Sequence, residues 1–311
     1  MTMETLAVVL DGPERLALRT LALRPPGAGD VIVDIAWSGI STGTEKLLWS
    51  GRMPAFPGMG YPLVPGYESV GRVVDAGVDA RGRIGEWVFV PGADCYQQAR
   101  GLFGGTARRV VLPAARALPV PESLGRDTVL MALAATAFHA IAAGPAPELV
   151  IGHGVLGRLI ARLVIARGDP APLVWESDAA RRGGAQGYAV IDPADDARRD
   201  YRVICDASGA APLIDSLIGR LARGGELVLA GFYDRIDFAF APAFMREVRL
   251  RIAAEFTPDD LRATIALAAA GTLRLDGLVS HVRPAEDARD AYPAAFAGGD
   301  CVKMVLDWRS Q

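Results

Sequence analysis

Apolar and polar positions follow two different patterns along the chain, and the change comes near Pro121. Before it, apolar runs of four to ten residues alternate with turns such as Asp11-Gly12-Pro13 and Pro25-Pro26-Gly27. Short runs between glycine and proline turns are typical of the strands of a small barrel. The predicted strands are residues 5–10, 15–23, 31–40, 67–74, 87–90, 108–112 and 117–120. A helical turn is predicted at 44–49, followed by a loop at 52–62.

After Pro121 the spacing of apolar residues indicates alternating helices and strands. Six short apolar runs lie at 149–151, 173–175, 188–191, 203–206, 226–230 and 250–253. Helical spacing is present at 127–143, 155–167, 179–186, 213–222 and 258–270. Six strands joined by crossovers predict a doubly wound parallel sheet in the order 3-2-1-4-5-6. The tail, with a helix at 285–296 and a strand at 302–306, is expected to return to the first domain.

These patterns predict an α/β protein with two domains. A barrel-like β domain is expected at residues 1–122, completed by 273–311, and a dinucleotide-binding domain at 123–272.

A glycine-rich turn lies between the first strand and the first helix of the predicted parallel sheet. It has the pattern G-x-G-x-x-G and consists of Gly152, His153, Gly154, Val155, Leu156 and Gly157. In this motif the first glycine permits the tight turn, the second lets the backbone approach a pyrophosphate, and the third lets the helix pack closely on the strand. The alternative is an ordinary strand-to-helix turn that is rich in glycine.

An acidic residue, Glu176, ends the next predicted strand, 19 residues beyond Gly157. A carboxylate about 20 residues after the glycine turn binds the adenosine ribose and repels a 2′-phosphate. We therefore predict NAD as the cofactor, although the neighbouring Arg181 and Arg182 favour NADP to some degree.

Further cofactor contacts are expected where later strands end. Ser208 and Gly231 follow the fourth and fifth predicted strands, and ligands of such sheets bind beyond the carboxyl ends of the strands. Both residues could equally be part of ordinary connections. His153 could contact the pyrophosphate or stay solvated.

Composition excludes several other classes of protein. The 311 residues are 51% hydrophobic and 22% charged with a net charge of −3, which disfavours a disordered or nucleic-acid-binding chain. We expect neither a signal peptide nor a membrane span, and the three dispersed cysteines suggest a cytoplasmic protein. The mean hydropathy of +0.23 fits an apolar pocket or a peripheral association with a membrane.

Local motifs along most of the chain resemble the medium-chain dehydrogenase/reductase family of the zinc alcohol dehydrogenase type. Residues 39–45 (GISTGTE) resemble its G-I-C-G-T-D, and 65–71 (PGYESVG) resemble its G-H-E-x-x-G. Residues 85–88 (GEWV), 105–107 (GTA), 136–140 (TAFHA) and 303–306 (KMVL) resemble four further motifs. The resemblance implies a GroES-like β-barrel and a Rossmann domain. It also places Thr136 with the cofactor residues and lets Lys303 reach the pyrophosphate.

The departures from the family pattern fall on its zinc ligands. Ser41 or Thr42 stands in place of the cysteine, Tyr67 in place of the histidine, and approximately Ala132 in place of the third ligand. Such a set does not bind zinc, so the resemblance implies a member of the family without a metal.

An alcohol oxidation without zinc needs a protein group that handles the hydroxyl proton. We expect Tyr67 to do so, relayed through Thr42 or Ser41, with Glu68 as a supporting neighbour. A tyrosine pKa near 10 would have to be lowered by nearby positive charge. The alternative is that Tyr67 is an ordinary packed tyrosine of the barrel.

Within the family, three longer runs (residues 6–27, 36–74 and 90–109) resemble a branch that acts on pigments. This implies a chlorin or bacteriochlorin macrocycle as substrate, whose 3-(1-hydroxyethyl) group is oxidised to 3-acetyl with NAD. Met53, Phe56, Met59 and Tyr61 could form a wall for the macrocycle or simply pack their loop. Two alternatives stay open: a zinc-free quinone or enone reductase, and a nucleotide-binding protein without activity. Family members also often form homodimers.

Overall fold

The computed structural model describes residues 3–309. The chain forms two compact units. Unit 1 comprises the chain up to Ala132 and again from Asp276, and unit 2 comprises Leu133–Leu275. The boundaries expected from the sequence were 122/123 and 272/273.

Unit 1 begins with nine strands and one helix. The strands are β1 (Glu4–Gly12), β2 (Arg15–Ala22), β3 (Asp30–Ile40), β4 (Leu63–Val64), β5 (Ser69–Ala76), β6 (Trp87–Val90), β7 (Arg100–Gly101), β8 (Arg109–Pro113) and β9 (Leu118–Pro119). Helix α1 (Thr44–Ser50) follows β3. One sheet has the order β2-β1-β4-β7. In the other sheet, β3 pairs with both β5 and β8.

The interior of unit 1 is filled by apolar side chains from the strands of both sheets. Inward-facing side chains from both sheets form one apolar core that excludes water. Its members include Val8, Val31, Val33, Ile35, Val73, Val88, Val110 and Leu112.

Unit 2 contains the parallel sheet that the sequence predicts. After helix α2 (Met131–Ala142) come β10 (Leu149–Ile151), α3 (Val155–Ala166), β11 (Leu173–Trp175), β12 (Ala189–Ile191), β13 (Tyr201–Asp206), α4 (Ile214–Ile218), β14 (Leu221–Leu229), α5 (Phe240–Arg246), β15 (Arg249–Ile252) and α6 (Pro258–Ala269). The strand order is β12-β11-β10-β13-β14-β15 and every pair is parallel. The predicted order 3-2-1-4-5-6 is therefore confirmed.

One helix prediction in unit 2 was wrong, and one helix was missed. Residues 179–186 form only a 3-10 turn, Ala179–Arg181, and Gly184 has a φ of +80°, which ends any helix there. Helix α5 was missed because its apolar residues lie on the outside, where Phe240 is 74% exposed. An exposed apolar run gives no amphipathic signal toward a core.

The tail returns to unit 1 as expected. Strand β16 (His281–Pro284) and helix α7 (Ala288–Phe296) precede β17 (Met304–Asp307). β17 pairs antiparallel with β3, with Met304 opposite Ile40. From α7, Tyr292 enters the core of unit 1 and is fully buried. No helix within residues 3–309 is long and apolar enough to cross a membrane.

Candidate active site

The glycine turn of unit 2 has the geometry that its motif requires. Gly152 has a φ of +91°, in the region that favours glycine. A Cβ on Gly157 would lie 1.9 Å from the carbonyl oxygen of Gly152, so this position must be glycine for α3 to begin beside β10. Gly154 precedes the first residue of α3 and leaves its N-terminal N–H groups accessible for an anion.

Glu176 lies beside this turn, as its spacing predicts. Its carboxylate accepts hydrogen bonds from the backbone N–H of His153 at 3.0 Å and of Asp178 at 3.0 Å. The side chain is buried except for a small exposed fraction. The loop after β11 is thereby held against the glycine turn. Contact between Glu176 and an adenosine ribose stays a prediction.

His153 is not solvated, so that sequence-based alternative was wrong. The residue is 0% exposed, and its ring nitrogens lie 2.8 Å from the carbonyl oxygen of Arg181 and 2.9 Å from the Tyr188 hydroxyl. Burial lowers the pKa of His153 to about 4, which makes the ring neutral. Its contact with a pyrophosphate stays a prediction.

Three arginines shape this region: sequence reasoning missed Arg158 and noted Arg181 and Arg182 only for the choice of cofactor. Arg158 on α3 donates to the carbonyl oxygens of His153 and Gly183, which joins the glycine turn to the loop after β11. Arg182 donates to the carbonyl oxygen of Glu176 and pairs with Asp192, while Arg181 places its guanidinium 3.3 Å from where a Cβ of Gly154 would lie. An arginine among the apolar residues of the helix that follows a glycine turn, as Arg158 is, would be the sequence signal for these hydrogen bonds.

Ser208 and Gly231 lie together at the carboxyl edge of the sheet. The Asp206 carboxylate, fully buried at the end of β13, accepts hydrogen bonds from the Ser208 N–H and hydroxyl at 2.7 and 2.6 Å. A Cβ on Gly152 would lie 3.4 Å from Ser208, and one on Gly231 would lie 2.4 Å from the nitrogen of Gly209. The structure thus brings these predicted residues next to the glycine turn. Thr136 lies on α2, half-buried, and its cofactor contact stays a prediction.

Three hydroxyl groups meet in unit 1: Ser41 and Tyr67 stand where the family has zinc ligands, and Thr44 lies beside them. The Tyr67 hydroxyl lies 2.7 Å from Ser41 Oγ and 3.3 Å from Thr44 Oγ1. The Tyr67 ring packs edge-on against Phe103, with centroids 5.2 Å apart. Thr44, which the sequence did not single out, takes the neighbouring position that was expected of Thr42. The threonine of the G-T-E triplet was the signal that could have identified it.

As a base, Tyr67 would need nearby positive charge that lowers its pKa, and its surroundings have the opposite effect. Burial, with the nearby carboxyl of Glu68, raises the pKa of the Tyr67 hydroxyl above its ordinary value. A phenolate is therefore disfavoured, since desolvation and negative charge both oppose it. Tyr67 is a neutral hydroxyl that can donate one hydrogen bond while it accepts another.

Glu68 and Lys303 form a buried ion pair in unit 1. The Lys303 ammonium contacts Glu68 Oε2, and the two side chains are 1% and 0% exposed. A Cβ on Gly39 would lie 2.4 Å from that oxygen and 2.8 Å from Lys303 Cε, so glycine is needed there to make room for the pair. Burial raises the pKa of Glu68, and the ammonium opposes this effect. Contact between Lys303 and a pyrophosphate stays a prediction.

A second buried acid, Glu45, was missed by sequence reasoning. It lies in the first turn of α1 and is 0% exposed. Its carboxylate accepts a hydrogen bond of 2.7 Å from the Tyr292 hydroxyl of α7. The acidic position of the G-T-E triplet was a signal for Glu45, whereas no motif marks Tyr292.

The donor set at these positions does not fit the zinc ion of the family. Ser41, Tyr67 and Thr44 offer neutral hydroxyls that bond to one another, whereas zinc prefers thiolate, imidazole and carboxylate ligands. Ala132 offers no side-chain donor. Within residues 3–309, no group of three or more His, Cys, Asp or Glu side chains could hold a metal ion.

The loop expected to form a wall for a macrocycle packs mainly on unit 1. Met53, Met59 and Tyr61 are half-buried against a cluster of Leu10, Leu48 and Leu63. Phe56 is 37% exposed. Ordinary packing explains the first three side chains and leaves Phe56 available for a ligand.

Comparison with known proteins identifies the family to which the chain belongs. The family model of the alcohol dehydrogenase GroES-like domain matches residues 27–122. The 2-desacetyl-2-hydroxyethyl bacteriochlorophyllide A dehydrogenase of Rhodobacter capsulatus is 57% identical over 311 residues, which cover 99% of both chains. The protein of the same name from Cereibacter sphaeroides is 56% identical over 316 residues, again covering 99% of both.

A solved structure shares the whole architecture. A short chain alcohol dehydrogenase from Escherichia coli CFT073, complexed with NADH, has a TM-score of 0.83 and 19% identity over 98% of this chain and 99% of the other. At this identity the similarity shows the fold alone: a GroES-like barrel with a Rossmann sheet.

Proposed function

We propose that this protein works with NAD and without a metal. The premise is its family: the chain belongs to the 2-desacetyl-2-hydroxyethyl bacteriochlorophyllide A dehydrogenases, a group of medium-chain dehydrogenases. It is an alcohol dehydrogenase that oxidises the hydroxyethyl group of a bacteriochlorophyllide in bacteriochlorophyll biosynthesis. The product of a secondary alcohol is a ketone, here the 3-acetyl group. The identity of 57% along the whole chain is the observation that carries this function.

Oxidation of the alcohol removes a hydride from carbon and a proton from oxygen. A bound nicotinamide cofactor would supply the hydride acceptor, and the N-terminus of α3 with the neighbouring Glu176 and Ser208 would hold it in unit 2. The hydroxyl proton must be taken by residues of unit 1, because Ser41, Tyr67 and Thr44 do not fit a metal that would acidify the alcohol.

Tyr67 and Ser41 handle this proton in our proposal. The Tyr67 hydroxyl takes the proton of the substrate alcohol as it gives its own to the hydroxyls of Ser41, 2.7 Å away, and of the half-buried Thr44, from which one proton leaves to water. The raised pKa of Tyr67 supports a relay between neutral hydroxyls in place of a standing phenolate. Thr44, rather than Thr42, is the second hydroxyl of this relay, at 3.3 Å.

The choice of NAD over NADP rests on Glu176. A carboxylate at the end of β11 repels the 2′-phosphate of NADP. We expect Glu176→Ser to shift the ratio of kcat/KM for NAD and NADP toward NADP by ~10-fold or more, equivalent to ~1.4 kcal/mol. Steady-state kinetics with both cofactors measure this shift.

Asp195→Ser is the matched control for Glu176→Ser. Asp195 is an exposed acid of the same unit, so its removal changes the net charge equally without touching the glycine turn. An unchanged cofactor ratio in Glu176→Ser, or an equal shift in the control, would show that Glu176 does not select the cofactor.

The function is tested with the purified protein after dialysis against a chelator. We expect conversion of 3-(1-hydroxyethyl) bacteriochlorophyllide to the 3-acetyl pigment with NAD, at a rate that added zinc does not raise. Activity that returns only with zinc would refute the metal-free proposal. Stoichiometric NAD binding without turnover of the pigment would favour a binding protein, and turnover of quinones or enones with NADPH would favour a reductase.

A further inference from the structure

Ser41 lies between two side-chain groups of unit 1. Its hydroxyl oxygen is 2.7 Å from the Tyr67 hydroxyl, and its backbone N–H points at Glu45 Oε1, 3.4 Å away. In return, the carbonyl oxygen of Ser41 accepts a hydrogen bond of 3.1 Å from the N–H of Glu45. Ser41 is thus held in place by Glu45 on its backbone and presents its side chain to Tyr67.

Glu45 is in turn held from a distant part of the chain. Tyr292 of α7 donates to Glu45 Oε2 at 2.7 Å, across 247 residues of sequence. The Tyr292 ring packs edge-on against Phe296, with centroids 5.8 Å apart, and the side chain is 0% exposed. The buried hydroxyl therefore has little freedom to choose another orientation.

Among the residues that the structure describes, no cation forms an ion pair with Glu45. The facing titratable groups are Glu68, Lys303, Tyr67 and Tyr292, and the ammonium of Lys303 contacts Glu68. In the described part of the chain, the donors that reach the Glu45 carboxyl are both neutral, the Tyr292 hydroxyl and the Ser41 N–H. Burial raises the pKa of Glu45 to about 8, and the hydrogen bond from Tyr292 opposes this rise.

We propose that Glu45 and Tyr292 form a positioning pair that holds the Ser41 hydroxyl against Tyr67, and that the ionised form of Glu45 is the competent one. The ionised carboxylate accepts strongly from both Tyr292 and Ser41, whereas a protonated carboxyl carries a hydrogen on one oxygen, which weakens that oxygen as an acceptor. Protonation thereby loosens Ser41. This inference rests on the proposed function, since Ser41 and Tyr67 form its relay.

The first test compares pH profiles of pigment oxidation by the full-length protein. For Tyr292→Phe we expect kcat to fall ~10-fold, with little change in the KM values, because the hydroxyls are misplaced while the binding surfaces stay intact. The midpoint at which kcat rises with pH should move upward, since a donor that favours ionised Glu45 is lost. Glu45→Gln, which mimics the protonated acid, should lower kcat and remove this step from the profile.

Tyr96→Phe is the matched control. Tyr96 is another tyrosine of unit 1, and its hydroxyl donates to the carbonyl oxygen of Gly104 at 2.6 Å without touching Glu45 or Ser41. Its loss should leave the midpoint unchanged. If Tyr292→Phe and Glu45→Gln keep the midpoint of the unmodified protein, the positioning pair is refuted.

A second measurement needs no pigment. A carboxyl with a folded-state pKa of about 8 keeps a proton that the unfolded chain releases near 4.5, so its contribution to stability is lost as pH rises from about 4.5 to about 8. Glu45→Gln should flatten this part of the dependence of Tm on pH, and an unchanged slope would refute the ionisation of Glu45. An altered slope in a protein that does not oxidise the pigment would support the titration but reject both the relay and the proposed function.

Discussion

Replacement of Tyr67 by phenylalanine is expected to lower kcat for pigment oxidation by ~10²–10³-fold, the usual contribution of a positioned proton-transfer group. The substitution removes the hydroxyl that lies 2.7 Å from Ser41 Oγ and 3.3 Å from Thr44 Oγ1. The ring itself should stay in place, because its packing against Phe103 does not involve the hydroxyl. Single-turnover absorbance measurements of the pigment separate this chemical step from product release.

Two comparisons make the Tyr67 result specific. Cofactor binding, followed by NADH fluorescence, should be unchanged in Tyr67→Phe, because the proposed cofactor site is in unit 2. The control Tyr96→Phe removes another hydroxyl of unit 1 and should retain kcat. Near-normal turnover of Tyr67→Phe would reduce Tyr67 to a packed tyrosine of the barrel and leave the proton to another group.

The substitution Lys303→Met is expected to lower the free energy of unfolding by ~3–5 kcal/mol, the typical cost of removing one partner from a buried ion pair. Lys303 is the cation in contact with Glu68, and both side chains are at most 1% exposed. Glu68 Oε1 already has no hydrogen-bond partner within residues 3–309. Without the ammonium, the carboxyl must stay buried alone or bind a proton. Urea unfolding followed by tryptophan fluorescence measures the loss.

A double variant tests whether the loss comes from the abandoned carboxylate. Lys303→Met combined with Glu68→Gln should recover much of the stability, since a neutral amide replaces the unpaired charge. Arg72→Met is the exposed comparison: Arg72 and Glu122 form an ion pair with side chains 44% and 64% exposed. Its loss should cost ~0–1 kcal/mol. If Lys303→Met and Arg72→Met lower the free energy of unfolding equally, the buried pair of Glu68 and Lys303 contributes no more to stability than an exposed pair.

The amino-acid sequence by itself determined the nucleotide-binding half of the protein. Leu149–Ile151 and Leu173–Trp175 were predicted as strands with the bounds that the structure has. The glycine turn and Glu176 are local signals, because a positive φ, a close approach and a strand end each need only nearby residues. The return of the tail to unit 1 followed from the same alternation of pattern.

The tertiary structure alone decided the chemistry of unit 1. The sequence pointed to Tyr67 and Ser41, but the pKa of Tyr67 depends on burial and on Glu68, which no spacing reveals. Thr44 rather than Thr42 faces Tyr67, because the direction of side chains at the start of α1 is set by packing. In unit 2, the predicted helix 179–186 was wrong for a local reason, because glycines occupy positions 183 and 184 and Gly184 has a positive φ.

Contacts between distant segments are the remaining part that sequence could not supply. Tyr292 meets Glu45 across 247 residues, and Lys303 meets Glu68 across 235. Both contacts exist because the tail adds β17 beside β3 and α7 to the core of unit 1. Short-range patterns encode helices, strands and turns, whereas the pairing of buried charges is chosen only when the packed core brings their segments together.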